Sequence, residues 1–211
     1  ISGNGQAELA AALAGLAKFS GSVKIKGNLM CGKSPRDFRR AGVAHIPEDG
    51  PGLGIVPDMT VEENAVLTGF DRPPYCKNAL LDYGRMRSAA QDKIDRYGIS
   101  CASPEMPAGL LSGGNIQRLV IARETQGEPA LLIASYPTRG LDAASAALVR
   151  RTLAEKKDCG SAVVLISENL DELLSVCDSV AVMFEGRFAG IFSAGGFDRH
   201  KIMLLMGGAK C

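Results

Sequence analysis

No apolar run in this sequence is long. The apolar runs, "AVVLIS" and "IMLLM" among them, fall far short of the roughly 20 residues that a bilayer-spanning helix needs. A charged start followed by an apolar stretch, the mark of a secretion signal, is also wanting. The six cysteines (Cys31, Cys76, Cys101, Cys159, Cys177 and Cys211) are scattered and include no C-x-x-C pair. They read as reduced thiols of a cytosolic protein. The only histidines, His45 and His200, have no paired cysteines nearby, so no metal centre is expected. Neither sign of charge is in excess. With 24 basic and 23 acidic residues the net charge is +1, which gives no electrostatic ground for a nucleic-acid partner.

What is present describes an ordinary folded domain. Of 211 residues, 46% are hydrophobic and 22% charged, enough to bury a real core. Leu9, Leu13 and Leu16 recur at helical spacing within 7–18, which predicts a helix with one apolar stripe. "GSVKIKG" alternates apolar and polar residues and predicts an exposed strand. "AGVAHIP" predicts a short strand halted by Pro47, and "EDGPGLGIVPDMT" a loop. From "TVEENAVL" to about Ser103 the pattern is helical and more polar, broken at "DRPPYCKN"; a further helix runs from Asn115 to Thr125. Then come a buried strand ("ALLIAS"), a helix ("SAALVRRTLAEKKD"), a second buried strand ("AVVLIS") and a helix ("NLDELLSVC"). "SVAVMFEG" and "RFAGIF" predict a hairpin with a Glu-Gly turn. Buried strands alternating with helices predict an α/β fold with a mainly parallel sheet. Residues 1–59 and 126–211 form the expected core, and 60–125 an inserted subdomain of helices only.

The opening "SGNGQ" feeds straight into a helix. Such a loop aims backbone N–H groups and the positive helix end at one spot, a cradle for phosphate. Against the pattern G-x-x-x-x-G-K-[ST], Gly5 fits the second glycine, Gln6 replaces the lysine and Ala7 the hydroxyl residue. The first glycine would precede Ile1, so the sequence is expected to be a fragment lacking the strand before the loop. A glycine turn that merely starts a helix explains this stretch as well.

"LLSGGNIQRLVIARE", 110–124, resembles the LSGGQ signature of ABC-type ATPases and the helix that follows it. "ALLIASYPTRGLDAAS" lies where that family has a hydrophobic strand and Asp-Glu-Pro-Thr-x-Gly-Leu-Asp. "VVLISENLDELLSVCDSVAVMFEGR" is similar to its switch strand, helix and terminal hairpin. Order and spacing agree over nearly the whole chain. "AHIPEDG", "GLGIVPDMTVEEN" and "PTRGLD" resemble the second ATPase half of tandem proteins that energise importers of simple sugars and nucleosides. "RPPY", "LLDY" and "SPEMPAGLLSGGN" lean towards the nucleoside branch.

That resemblance implies a P-loop NTPase core of RecA type. It places nucleotide contacts at Ser2, Gly3, Asn4, Gly5, Gln6, Ala7 and Glu48, the signature at Leu111, Ser112, Gly113, Gly114 and Asn115, and a further loop at Gly140, Leu141 and Asp142. It also implies that the catalytic set is degenerate. Gln6 stands for the phosphate-gripping lysine, Ala7 for a Mg²⁺-holding hydroxyl, Ser135 for a Mg²⁺-serving aspartate, Tyr136 for the water-activating carboxylate and Glu168 for the switch histidine. Glu48 stands for the glutamine of the loop that meets the metal and the membrane partner. Phosphoryl transfer depends on positioning and on cations that neutralise charge, which these residues do not supply.

The expected function is therefore the carboxy-terminal cassette of an importer, peripheral on the inner face of the membrane. It pairs with an amino-terminal cassette of the same polypeptide and with membrane permease subunits, and no nucleic acid is expected. Its signature would serve Mg-ATP held by the partner cassette, while ATP binds weakly or not at all at its own site. The fragment alone would not hydrolyse ATP. The alternative is a non-catalytic nucleotide-sensing or dimerisation module of a soluble ABC protein.

Overall fold

The computed structural model describes residues 3–208; Ser2 and Cys211, both named above, lie outside the described residues. Helix α1 (Gln6–Leu13) follows Gly5, whose φ of 101° is open to glycine and strained for other residues. The predicted helix stops five residues early, and Leu16 is exposed. Gly15, also at positive φ, explains the stop: a Cβ there would fall 2.4 Å from the Phe38 ring. Only Lys24–Ile25 (β1) of the predicted exposed strand pairs, with Asn28–Leu29 (β2). Helix α2 (Pro35–Arg40) starts at Ser34, which forms a reciprocal capping pair with Asp37.

The centre is a parallel sheet of β3 (Val43–Ile46), β6 (Leu131–Ser135) and β7 (Ala162–Ile166), in the order β3-β6-β7. Val43 stands opposite Leu131, and Ser135 opposite Ile166. All five residues of β6 are buried. That is why "ALLIAS" reads as an unbroken apolar run: helices cover both faces of the sheet. Each fully buried Leu or Ile on this strand contributes on the order of 1.5–3 kcal/mol by leaving water.

Between β3 and β6 run α3 (Val61–Val66), the short pair β4 (Cys76–Lys77) and β5 (Leu80–Leu81), α4 (Tyr83–Tyr97) and α5 (Gly113–Glu124). The small hairpin corrects the expectation of helices only. Its turn residues Asn78 and Ala79 both have positive φ, 52° and 62°, and asparagine tolerates that region. Leu119, Val120 and Ala122 on α5 face the core, which they share with Ile46, Val61, Ala65, Leu132 and Leu153. The loop after β3 is more ordered than a plain loop: Gly50–Gly54 forms one wide π turn, started by Asp49, which accepts from Gly52 N–H at 2.9 Å. Asn64, fully buried on α3, accepts from Val56 N–H at 2.8 Å and donates to the carbonyls of Val56, Met59 and Thr60. Arg123 on α5, also buried, donates to Gly54 O at 2.8 Å. Two buried polar side chains thus hold the segment 54–60.

After β6 come α6 (Ala143–Asp158), β7, α7 (Leu170–Val176), the hairpin β8 (Ser179–Phe184) and β9 (Arg187–Ser193), and α8 (Arg199–Met206). Glu185 and Gly186 make the expected turn, both at positive φ. Among the described residues β7 pairs only with β6 and β8 only with β9, and no strand precedes α1. A groove of about 550 Å³ lies between β7 and β8, lined by Leu9, Val163, Leu165, Val180, Val182 and Ile202 among others.

Candidate functional site

Parallel strands present their loops at their carboxyl ends, and ligand sites of open α/β sheets gather there. In this chain β3 ends two residues before Glu48, β6 runs directly into Tyr136, and β7 ends two residues before Glu168. These three candidate residues come from separate parts of the sequence, and the sheet brings them together. Arg139, one turn beyond Tyr136, joins them. Its Nη1 pairs with Glu48 Oε1, its Nη2 lies 3.7 Å from Glu168 Oε2, and its guanidinium stacks on the Tyr136 ring.

Tyr136 is 7% exposed and has a φ of 48°, an unusual conformation for an aromatic residue. Its backbone N–H donates to Ile166 O at 2.7 Å, which fixes the turn against β7. Burial pushes its phenol above the ordinary range, the charges of Glu48 and Glu168 add to the rise, and Arg139 opposes it. The phenol therefore stays protonated at neutral pH. Ser135, the last residue of β6, is buried, and its hydroxyl lacks a hydrogen-bond partner.

The opening loop lies against the β8–β9 turn. Asn4 O accepts from Gly186 N–H at 3.0 Å, and Asn4 Oδ1 from Glu185 N–H at 3.0 Å. Gln6 turns back so that its Oε1 accepts the Asn4 N–H at 2.9 Å, an N–H that a phosphate cradle would keep for its ligand. Gly3 and Gly5 hold positive φ, and Ala7 is exposed on the first turn of α1. Gln6 also lines the groove between β7 and β8.

A magnesium ion, expected beside a nucleotide in phosphoryl transfer, asks for free oxygen donors. Ala7 has none, Ser135 offers one buried hydroxyl, and Glu48 and Glu168 already share a guanidinium. This donor set does not fit the metal.

The signature-like stretch forms a second surface. Ser112 caps α5, accepting from Asn115 N–H at 3.4 Å and from Asn115 Nδ2 at 2.9 Å. Ser112 and Gly113 are exposed, Gly114 and Asn115 half-buried, and Leu111 is anchored in the core. Asp142 caps α6 in the same way, through Ser145 N–H at 2.9 Å. Gly140, at a φ of 73°, and half-buried Leu141 lead into that cap. Arg118 ties the two caps together: it donates to Asp142 at 2.8 Å, Ser145 Oγ at 2.6 Å and Asn115 Oδ1 at 3.2 Å. Hydrogen bonds from the Ser145 hydroxyl and backbone, aided by Arg118, lower the Asp142 carboxyl to about 2.

Sequence reasoning missed Arg139 and Arg118. Both stood in the quoted strings, "PTRGLD" and "GGNIQRL". The available signal was a single cation placed between stretches that each contribute an acid or a polar cap.

The ABC transporter family matches residues 1–139. Over all 211 residues the chain is 40% identical to the nucleoside import ATP-binding protein NupA of Lactococcus lactis, of which it covers 42%. It is 37% identical to the guanosine import ATP-binding protein NupO of Bacillus subtilis, over 99% of this chain and 41% of that protein. The chain thus spans less than half the length of these curated relatives. The fold resembles that of the ATP-binding cassette MJ0796, solved as a dimer in a post-hydrolysis state with ADP and Pi. That match has a TM-score of 0.78 and 19% identity, over 93% of this chain and 84% of that one. The chain belongs to the ABC transporter family.

Proposed function

We propose that this chain is the carboxy-terminal cassette of a tandem ATPase that energises import of nucleosides or simple sugars, with its own nucleotide site degenerate. The observation that carries the reading is the Glu48–Arg139–Glu168 ion pair over Tyr136, at the carboxyl edge of the sheet. Where hydrolysis needs a free carboxylate for water and oxygen donors for a metal, both acids are held by an internal cation, and the position expected to carry a base is a protonated phenol. The names of the relatives, nucleoside and guanosine import among them, favour the importer. In this reading 60–125 is a helical subdomain that presents Ser112, Gly113 and Gly114 to Mg-ATP on the amino-terminal cassette, while permease subunits take up the movement. The protein would lie on the inner face of the membrane.

The test uses the complete polypeptide. Ser112→Arg places bulk on an exposed cap and should abolish most ATP turnover and transport together, while Gln6→Lys in the same protein should not restore them. Wild-type turnover in the Ser112→Arg protein would overturn the composite-site reading. The 211-residue chain alone should release no phosphate from ATP with or without Mg²⁺; Mg²⁺-dependent release would overturn the degenerate site.

A further inference from the structure

A cavity of about 200 Å³ opens between α4, the carboxyl end of α5 and α6. Lys93, Arg96 and Lys156 line it, with Asp92, Thr125 and Gln126. Lys93 is the unusual member. It is 7% exposed, so more than nine-tenths of it is buried. Its ammonium has one long hydrogen bond, to Ala89 O at 3.4 Å, and forms no ion pair among the described residues. Buried lysines are rare unless paired, because removing an ammonium from water without a counter-charge is costly.

The other two cations have spare capacity. Arg96 reaches Glu155 only at 3.8 Å and is otherwise exposed, and Lys156 gives one bond to the Gly127 carbonyl. Asp92, exposed and adjacent to Lys93 in sequence, is the one carboxylate lining the cavity. Three cations against two acids, Asp92 in the lining and Glu155 beside Arg96, leave an excess of positive charge around a space too small for a drug-sized molecule and ample for a tetrahedral ion.

We infer that this cavity is a binding site for a small oxyanion of the phosphate class, held by Lys93 from within and by Arg96 and Lys156 at its mouth. The anion supplies the counter-charge that Lys93 lacks. Hydrogen bonds between ionised partners are about twice as strong as neutral ones, so the energetic return is concentrated at the buried ammonium.

The experiment follows the thermal unfolding of the 211-residue chain at pH 7 in inorganic phosphate, against sodium chloride of equal ionic strength. Lys93→Met keeps the length and removes the charge. In chloride, Lys93→Met should be at least as stable as wild type, since it relieves an unpaired buried charge. Phosphate should raise the wild-type midpoint by about 3 to 5 °C at ten times its dissociation constant, and leave Lys93→Met unmoved. Lys156→Gln should weaken the phosphate response without abolishing it. ADP run in parallel tells the source: a Lys93-dependent response to phosphate alone assigns a free ion, and a Lys93-dependent response to both assigns the end of a nucleotide as well. Equal midpoints in phosphate and chloride for the wild type, or a phosphate response that survives in Lys93→Met, would overturn the site.

Discussion

The Arg139 guanidinium lies over the ring of Tyr136, 4.2 Å from the centroid. Both residues sit in the turn that follows β6, and Tyr136 holds its ring there at a positive φ. The arginine thus has three partners at once: an aromatic face and two carboxylates from the ends of the neighbouring strands. A guanidinium suits this arrangement because it is planar, stacks, and offers donors along its rim.

Removing that cation should change the phenol more than the fold. Arg139→Gln takes away the one charge that lowers the Tyr136 phenol and leaves Glu48 and Glu168, which raise it. The phenol should titrate at higher pH in the variant, followed by its absorbance change on ionisation. The pairs are about half exposed, so the loss of stability should be small, about 1 kcal/mol. A phenol that titrates lower or unchanged would mean that the stacked geometry is not kept in solution.

Asn64 is the opposite case, a residue that touches no candidate site group and holds a stretch of backbone in place. Its amide serves one N–H and three carbonyls of the segment 56–60. Asn64→Leu keeps the volume and removes the acceptor of the Val56 N–H, while the carbonyls of Val56, Met59 and Thr60 keep backbone donors from Met59, Ala108 and residue 64 itself. The expected cost is about 1–2 kcal/mol in denaturant unfolding, with faster proteolysis between 52 and 60. A loss under about 0.5 kcal/mol would show that water takes over these bonds.

Much of this architecture was legible from side-chain period alone. "ALLIAS" forms the buried strand expected of it, and Leu119, Val120 and Ala122 lie in the core; "AVVLIS" forms its strand, but only Ile166 of β7 is buried, because the strand lines the groove beside β8. The departures have local causes. The first helix ended early because Gly15 must leave room for Phe38, a contact between residues 23 apart that no window along the chain contains. The β4–β5 pair was hidden because two residues per strand carry no alternation to read. At the site, the family resemblance implied that Glu48, Tyr136 and Glu168 serve one nucleotide, but their identities as acids and a phenol did not announce the arginine between them. A lone cation in a loop reads as solvated until the fold brings carboxylates from two other strands beside it.

Lys93 gives a pH dependence of unusual sign. Burial holds its ammonium at about 8, against an ordinary value of 10.5. Between these two the unfolded chain binds more protons than the folded one, so stability rises with pH across that window. The cost of the buried charge is fully present below pH 8 and relieved by pH 10.5, and its size is at most about 3 kcal/mol. Measured in chloride, the stability gap between Lys93→Met and wild type should narrow from pH 8 upward. A constant gap would place the ammonium in water.

The link between the two helix caps predicts an acid-side effect. Asp142 is held at about 2 instead of 3.8, first by the Ser145 hydroxyl, then by the Ser145 backbone N–H, with Arg118 contributing less. A lowered carboxyl stabilises the fold at pH above its unfolded value. That contribution is complete above about pH 4 and is lost as the pH falls towards 2. Ser145→Ala removes the leading cause and should move the Asp142 titration, read by carboxyl-carbon NMR, back towards 3.8. Arg118→Gln should move it less, because Asp142 is exposed and solvent screens the guanidinium. The same Arg118→Gln change should instead loosen the Ser112 cap, since Arg118 and Ser100 N–H both bond the Asn115 oxygen that orients its amide on Ser112. Faster amide exchange at Asn115 in Arg118→Gln, with the Asp142 titration little changed, is therefore the expected pair of results. The reverse, a large shift of Asp142 and an unaltered cap, would mean that Arg118 acts as the counter-ion of Asp142 and not as the tie between the two loops.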